Sequence, residues 1–306
     1  MSTSDGPVVA GFDGSEAAER AVRWAAGEAR IRGLGLLIVY GTSDRLPRPG
    51  SDLVAAPLAG VLEGSGGPAV EPIRGRLAAV VERVHSDHPD VEVRISVRGG
   101  SPDTALTSAA EENNAAMIVL GESSSGTFAR ALLGTTEDTV RRTAGCPVVV
   151  VRGDHPDSTG PVVLGADGSE HSADATHFAF DFAARHGLPL HAVHGWTSAE
   201  LLAGADPLLP GQLAAAPPED FLAAVDEQVD RRLQPWVERY PEVEVRRVHS
   251  EEPVVKALTD HSADAALLVV GGHGHGELWQ LLRGSVGKTA TRHAHCPVAV
   301  VRSGTA

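Results

Sequence analysis

The chain is short of cysteine, of aromatic residues and of positive charge, and each shortage excludes something. Only two cysteines occur among 306 residues, Cys146 and Cys296. That number cannot build a disulfide framework, and the usage fits a reducing cytoplasm. Aromatic residues make up 4% of the chain, and the scattered Trp24, Trp236 and Trp279 suit helix packing better than a stacking platform. Lys and Arg number 26 against 40 Asp and Glu, a formal charge of −14. A net acidic surface repels a phosphate backbone, which argues against a nucleic-acid partner. No apolar run approaches the roughly 18 residues of a membrane span. The opening MSTSDGPVVAGFDGS has neither the basic start nor the apolar core of a secretion signal. The expectation is a cytoplasmic protein with no membrane or nucleic-acid partner.

What is present is present twice. PVVAGFDGSE (Pro7–Glu16) returns as PVVLGADGSE (Pro161–Glu170), and GCPVVVVR (Gly145–Arg152) returns as HCPVAVVR (His295–Arg302). Two copies fit a length that suits about two domains of ~150 residues each, and residues 1–153 and 159–306 are the expected domains. The polar, turn-rich GDHPDSTG (Gly153–Gly160) joins them.

Each copy reads as strands alternating with helices, βαβαβαβαβ. In copy one PVVAGF is a short apolar strand and Ser15 caps a helix that runs to about Arg32. LGLLIVY, VEVRISV, AAMIVLG and CPVVVVR follow as strands, with helices opening near Glu71 and at Pro102. Alternation of this kind, with near-continuous Val/Ile/Leu runs, predicts a parallel sheet covered on both faces. After the second strand both copies carry a long connection, 47–67 and 203–220, which reads either as a surface loop or as a lid over a ligand.

Ligands of open parallel sheets bind beyond the carboxyl ends of the strands, where the strand order reverses. Strand one ends there in GFDGS or GADGS, and strand four in a glycine-bearing loop. With strand order 3-2-1-4-5 these two ends are neighbours. Asp13 and Asp167 then face the loop, able to accept a ribose hydroxyl or to meet a metal carried on phosphates; the competing role is capping of the next helix.

The loop of copy two is VVGGHGHGELWQLLRGSVGKT (Val269–Thr289). Its GSVGKT end is not a P-loop, because the first glycine that motif demands falls on Leu282 and the nearest strand ends far upstream. What remains is G-x-x-G, nine intervening residues, then G-S: Gly271, Gly274, Gly284, Ser285. Glycines at 271, 272, 274 and 276 let backbone amides approach an anion. Gly284, Ser285 and Val286 start the last helix, whose free amides and positive dipole end suit a phosphate.

With its early D-G-S turn, its G-x-x-G-x(9)-G-[ST] loop and its terminal C-P-V-x-V-V strand, the chain resembles the universal stress protein family in its tandem form. The resemblance covers essentially the whole chain. It implies two Rossmann-like domains of the adenine nucleotide alpha hydrolase-like kind, each a five-stranded parallel sheet of order 3-2-1-4-5. It implies ATP as ligand, with Mg2+ as an accompanying expectation, and a nucleotide-sensing role in regulation or stress survival. A slow ATPase, an adenylate-forming enzyme and a nucleotide-free scaffold stay open as alternatives.

Residue by residue, copy two carries Gly165 and Asp167 at the first strand end, Gly195 after strand two for backbone contacts to adenine, and Gly271, Gly272, Gly274, Gly276, Gly284, Ser285 and Val286 in the loop and helix start. His273 and His275 stand where the family often has Arg or Lys. Copy one keeps Gly11, Asp13, Gly41, Gly121, Gly126, Gly134 and Thr135. It has Ser124 for the second motif glycine, Glu122 inside the loop, and Glu137 and Asp138 at the helix start. Carboxylates there compete with phosphate for the same amides, so ATP is expected mainly in copy two.

Two further expectations follow. His293, His295 and Cys296 suggest a metal, but copy one has Thr143, Gly145 and Cys146 there, so the cysteines read as small buried residues entering strand five. Strand five is an edge with an apolar middle, Val148–Val151 and Val298–Val301, and such edges need covering. The two are expected to pair within one chain, with association of two chains as a further step.

Overall fold

The computed structural model describes residues 6–42, 52–53, 71–122, 144–152, 159–166, 173–195, 218–271 and 294–301. The chain divides into two compact units, Met1–Arg152 and Gly153–Ala306.

The first unit runs β1 (Val8–Gly11), α1 (Glu16–Arg32), β2 (Leu36–Thr42), β3 (Asp52–Leu53), α2 (Glu71–Asp87), β4 (Val93–Gly99), α3 (Pro102–Glu112), β5 (Met117–Gly121) and β6 (Val148–Val151). Strand β1 lies between β2 and β5, with Val9 level with Leu37 on one side and Ile118 on the other. Strand β4 flanks β2 and β6 flanks β5, all parallel. The five long strands therefore take the order third, second, first, fourth, fifth. Strand β3 departs from the sequence reading. It adds Asp52 and Leu53 antiparallel to β4, opposite Ser96 and Ile95. Nothing in the composition of 47–67 marks those two residues; the outer edge of β4 supplies the unpaired backbone groups they bond to.

The second unit repeats the plan: β7 (Val162–Gly165), α4 (Ala173–His186), β8 (Leu190–Gly195), α5 (Pro218–Arg239), β9 (Val245–Ser250), α6 (Val254–His261), β10 (Leu267–Gly271) and β11 (Val298–Val301). Strand β7 pairs with β8 and β10, β8 with β9, and β10 with β11, all parallel.

The apolar runs become strands because helices cover both sheet faces. Val8, Val9 and Ala10 are completely buried, so β1 shows no alternation of apolar and polar residues. Helix α1 starts where Ser15, in extended backbone, accepts the Ala18 amide on Oγ at 3.1 Å. Glu16 and Glu19 in its first turn complement the dipole, and Gly33, at φ 68°, ends it in the left-handed region. Its buried face is mostly alanine, Ala18, Ala21, Ala25 and Ala29, which lets the helix lie close on the sheet. On the other face Leu106, Ala109 and Ala110 of α3 close over Val9, Leu37, Val39 and Ile118. In the second unit α4 buries Phe178, Phe180 and Phe182 alongside Ala175, Ala179 and Ala183. His177 of α4 stacks on Trp236 of α5, centroids 5.0 Å apart, and its Nε2 lies 3.1 Å from the Tyr240 hydroxyl. Trp24 is buried and Trp236 joins two helices, so both serve packing, as expected; Trp279 lies outside the described residues.

Cys146 and Cys296 are buried thiols outside any disulfide, just ahead of β6 and β11, where the sequence put them. Burial pushes the Cys146 thiol up from 9.0 to about 12. The folded chain thus keeps a proton that the unfolded chain loses above pH 9, so this group's contribution to stability declines as the pH rises from about 9 toward 12. Iodoacetamide at pH 8 is expected to leave Cys146 unmodified in the native protein and to alkylate it in denaturant. Rapid labelling of the native protein would contradict its burial. Among the described residues no helix is long and apolar enough to cross a membrane.

Candidate functional site

In each unit the described motif glycines lie at or near the carboxyl ends of the central strands. Gly11 closes β1, Gly41 lies in the end of β2, and Gly121 closes β5. Gly165, Gly195 and Gly271 close β7, β8 and β10. Strands one and four are hydrogen-bonded neighbours in both units, Ala10 level with Val119 and Leu164 with Val269. The order of connection reverses at that pair.

Several of these glycines have a packing reason as well. A Cβ on Gly121 would lie 2.3 Å from the Ala17 carbonyl oxygen in the first turn of α1. One on Gly41 would come 2.9 Å from Pro102 Cα, and one on Gly195 2.5 Å from Val254 Cα, each at the start of the helix after strand three. Helix and strand end therefore touch backbone to backbone, and only glycine fits between them. Gly271 is different: a Cβ there meets no described atom within 4 Å.

Asp13 Oδ1 accepts the Ser15 amide at 2.9 Å, and Ser15 in turn caps α1. Asp13 thus shapes the turn into the helix, the local role weighed against ligand contact, and this occupies one of the two carboxylate oxygens. Arg76 of α2 also reaches this turn, donating from Nη1 to the Gly14 carbonyl. Sequence reading missed Arg76, since it lies one of many charges along an amphipathic helix. It also missed that Glu122, next to Gly121, bonds through Oε1 to Nη2 of the buried Arg152. The Glu122 carboxylate is therefore charge-compensated by a neighbour 30 residues away, so the repulsion of phosphate assigned to it is weaker than its place in the loop suggests.

In the second unit two histidines sit at the same strand ends. His194 of β8 is buried, and its Nδ1 lies 3.2 Å from the Ala166 carbonyl oxygen. His249 of β9 is level with it; the rings meet edge to face at 6.4 Å, and His249 Nε2 lies 2.7 Å from Asp226 Oδ1 on α5. The period-two pattern of β9, VRRVHS, gave no signal for this pair, because only the parallel register aligns 194 with 249.

Asp167, Gly272, His273, Gly274, His275, Gly276, Gly284, Ser285 and Val286 of the second unit lie outside the described residues, as do Ser124, Gly126, Gly134, Thr135, Glu137 and Asp138 of the first. So does His293; His295 donates its backbone amide to Ser262 Oγ at 3.0 Å, and Cys296 is buried.

The universal stress protein family model matches residues 6–152 and again 159–302. Two universal stress proteins of Mycobacterium tuberculosis are similar to this chain at 35% and 33% identity, each over 96% of both chains. A universal stress protein of Mycolicibacterium smegmatis is 33% identical over 99% of both. Among solved structures, a universal stress protein from Archaeoglobus fulgidus superposes with a TM-score of 0.63 at 18% identity, covering 98% of this chain and 97% of that one.

Proposed function

The chain belongs to the universal stress protein family, and on that premise we propose that it is an ATP-binding regulatory module with the nucleotide held mainly by its second unit. The observation that supports this most is the pairing of strand-one and strand-four ends at the reversal of strand order, with glycine at both ends and the sequence Asp-Gly-Ser following strand one. Favouring the second unit is the run Gly271, Gly272, Gly274, Gly276, Gly284, Ser285, Val286, against Ser124, Glu137 and Asp138 in the first. Backbone amides from such a loop and from the helix start suit a polyphosphate; Gly165 and Gly195 would flank the base and ribose, and His273 and His275 would lie along the phosphates. One carboxylate per turn, Asp13 or Asp167, fits Mg2+ that arrives on the phosphates rather than one caged by protein. The cysteine usage supports residence in the cytoplasm, and the apolar fifth strands support their pairing with each other and, further on, a homodimer.

The test is release of bound nucleotide. Denaturing the purified protein is expected to free adenine nucleotide at up to about one molecule per chain, and ATP titrated into stripped protein is expected to bind saturably. A chain that releases none and binds none is a scaffold, and the proposal fails. Turnover of bound ATP, followed by phosphate release, would move the protein from sensor to enzyme.

A further inference from the structure

We propose that His194 is a positioning residue of the second unit, holding the Ala166 carbonyl where the chain leaves β7 just ahead of the sequence Asp-Gly-Ser. Equivalence between the units is set by one shared bond: the Phe12 amide donates to the Val39 carbonyl and the Ala166 amide to the Val193 carbonyl, both at 2.9 Å. Tyr40 and His194 are the next residues along. In the second unit the grip continues, because His194 Nδ1 reaches the Ala166 carbonyl at 3.2 Å. Consecutive residues of β8 thus hold both polar backbone groups of Ala166. A carbonyl oxygen only accepts, so Nδ1 carries a hydrogen. The Ala166 carbonyl and the amide that follows share one planar peptide unit. Fixing the carbonyl therefore restricts how the chain leaves β7.

The bond is placed to matter. His194 is 4% exposed, so water is poorly able to replace it. Its ring is backed by His249, which is itself tied to Asp226 of α5, while Arg247 Nη1 lies 2.8 Å from Asp230 and 3.6 Å from Asp226. In the first unit Tyr40 stands at the position of His194. A tyrosine ring has no nitrogen beside Cγ, so Tyr40 cannot copy the contact, and the turn is held instead by Asp13 Oδ1 and by Arg76 on the Gly14 carbonyl.

The effect on ligand affinity rests on the nucleotide-binding reading; the effect on the backbone does not. Hydrogen exchange of the peptide covering 162–170, measured by mass spectrometry on the full chain, tests the second directly. His194→Leu is expected to speed exchange there about five- to tenfold, the loss of one buried hydrogen bond. His194→Asn, whose amide donor stands where Nδ1 does, is expected to restore it, while the 8–15 peptide of the first unit stays unchanged in both. If the leucine variant does not fold, His194→Gln, whose donor lies farther out, takes its place. Equal exchange in the donor-bearing and donor-lacking variants would reduce His194 to a space filler and overturn the inference. ATP affinity is expected to fall about fivefold in the leucine variant and to return in the asparagine variant. Faster exchange with unchanged affinity would overturn the link to the site. A wild-type chain that binds no ATP would sink the functional reading and leave the exchange result to decide the role of His194.

Discussion

Gly121→Ala is expected to destabilise the first unit by about 1–3 kcal/mol, the usual cost of forcing a methyl into a packed site, and to do so with no nucleotide present. The added Cβ would sit 2.3 Å from the Ala17 carbonyl oxygen, 2.4 Å from its carbon and 2.8 Å from the Ala18 nitrogen. None of these is the tip of a flexible side chain. They belong to the first turn of α1, which the Ser15 cap and the Asp13 turn hold in place. Relief requires moving the helix start away from β5, and that move would uncover Ala18 and Ala21. Gly195→Ala should act likewise on the second unit, against Val254 and the Glu252 carbonyl. The measurement is a urea unfolding curve on nucleotide-free protein. An unchanged midpoint for Gly121→Ala would show that helix and strand part easily and that this glycine serves a ligand alone.

Gly274→Glu is expected to weaken ATP binding about a hundredfold, roughly 2.7 kcal/mol, whereas Ser124→Glu should change it less than about threefold. Two like charges about 4 Å apart repel by roughly 4 kcal/mol at an intermediate dielectric, and the side chain would also block approach of the loop amides. The first unit already lacks that glycine and carries Glu137 and Asp138 where the second has Gly287 and Lys288. Its Glu122 contributes less, since that carboxylate is paired with Arg152. Titration calorimetry on the two variants separates the cases: equal losses would make the first unit a full site and remove the asymmetry proposed for the chain.

The sequence by itself determined the duplication, the alternation of strands and helices, and most element limits. Ser15 and Gly33 mark both ends of α1, Pro102 opens α3, and the apolar runs fall on β1, β5, β6, β7, β10 and β11. These signals are local, written in caps, breakers and the period of apolar residues, and local signals survive without a fold. The motif glycines were legible too, but their double duty was not. That Gly121 meets Ala17, that Gly195 meets Val254, that Arg152 neutralises Glu122 and that His194 grips Ala166 are contacts between segments about 30 to 100 residues apart. Strand order and register create them, and no spacing along the chain encodes them. The pair of β3 with β4 belongs with these, because two ordinary residues became a strand only when a free sheet edge lay beside them. Tertiary structure decided whether a polar or small residue at a strand end faces a ligand, a helix start or another side chain, because burial and hydrogen-bond satisfaction are properties of the assembled neighbours and not of the residue alone.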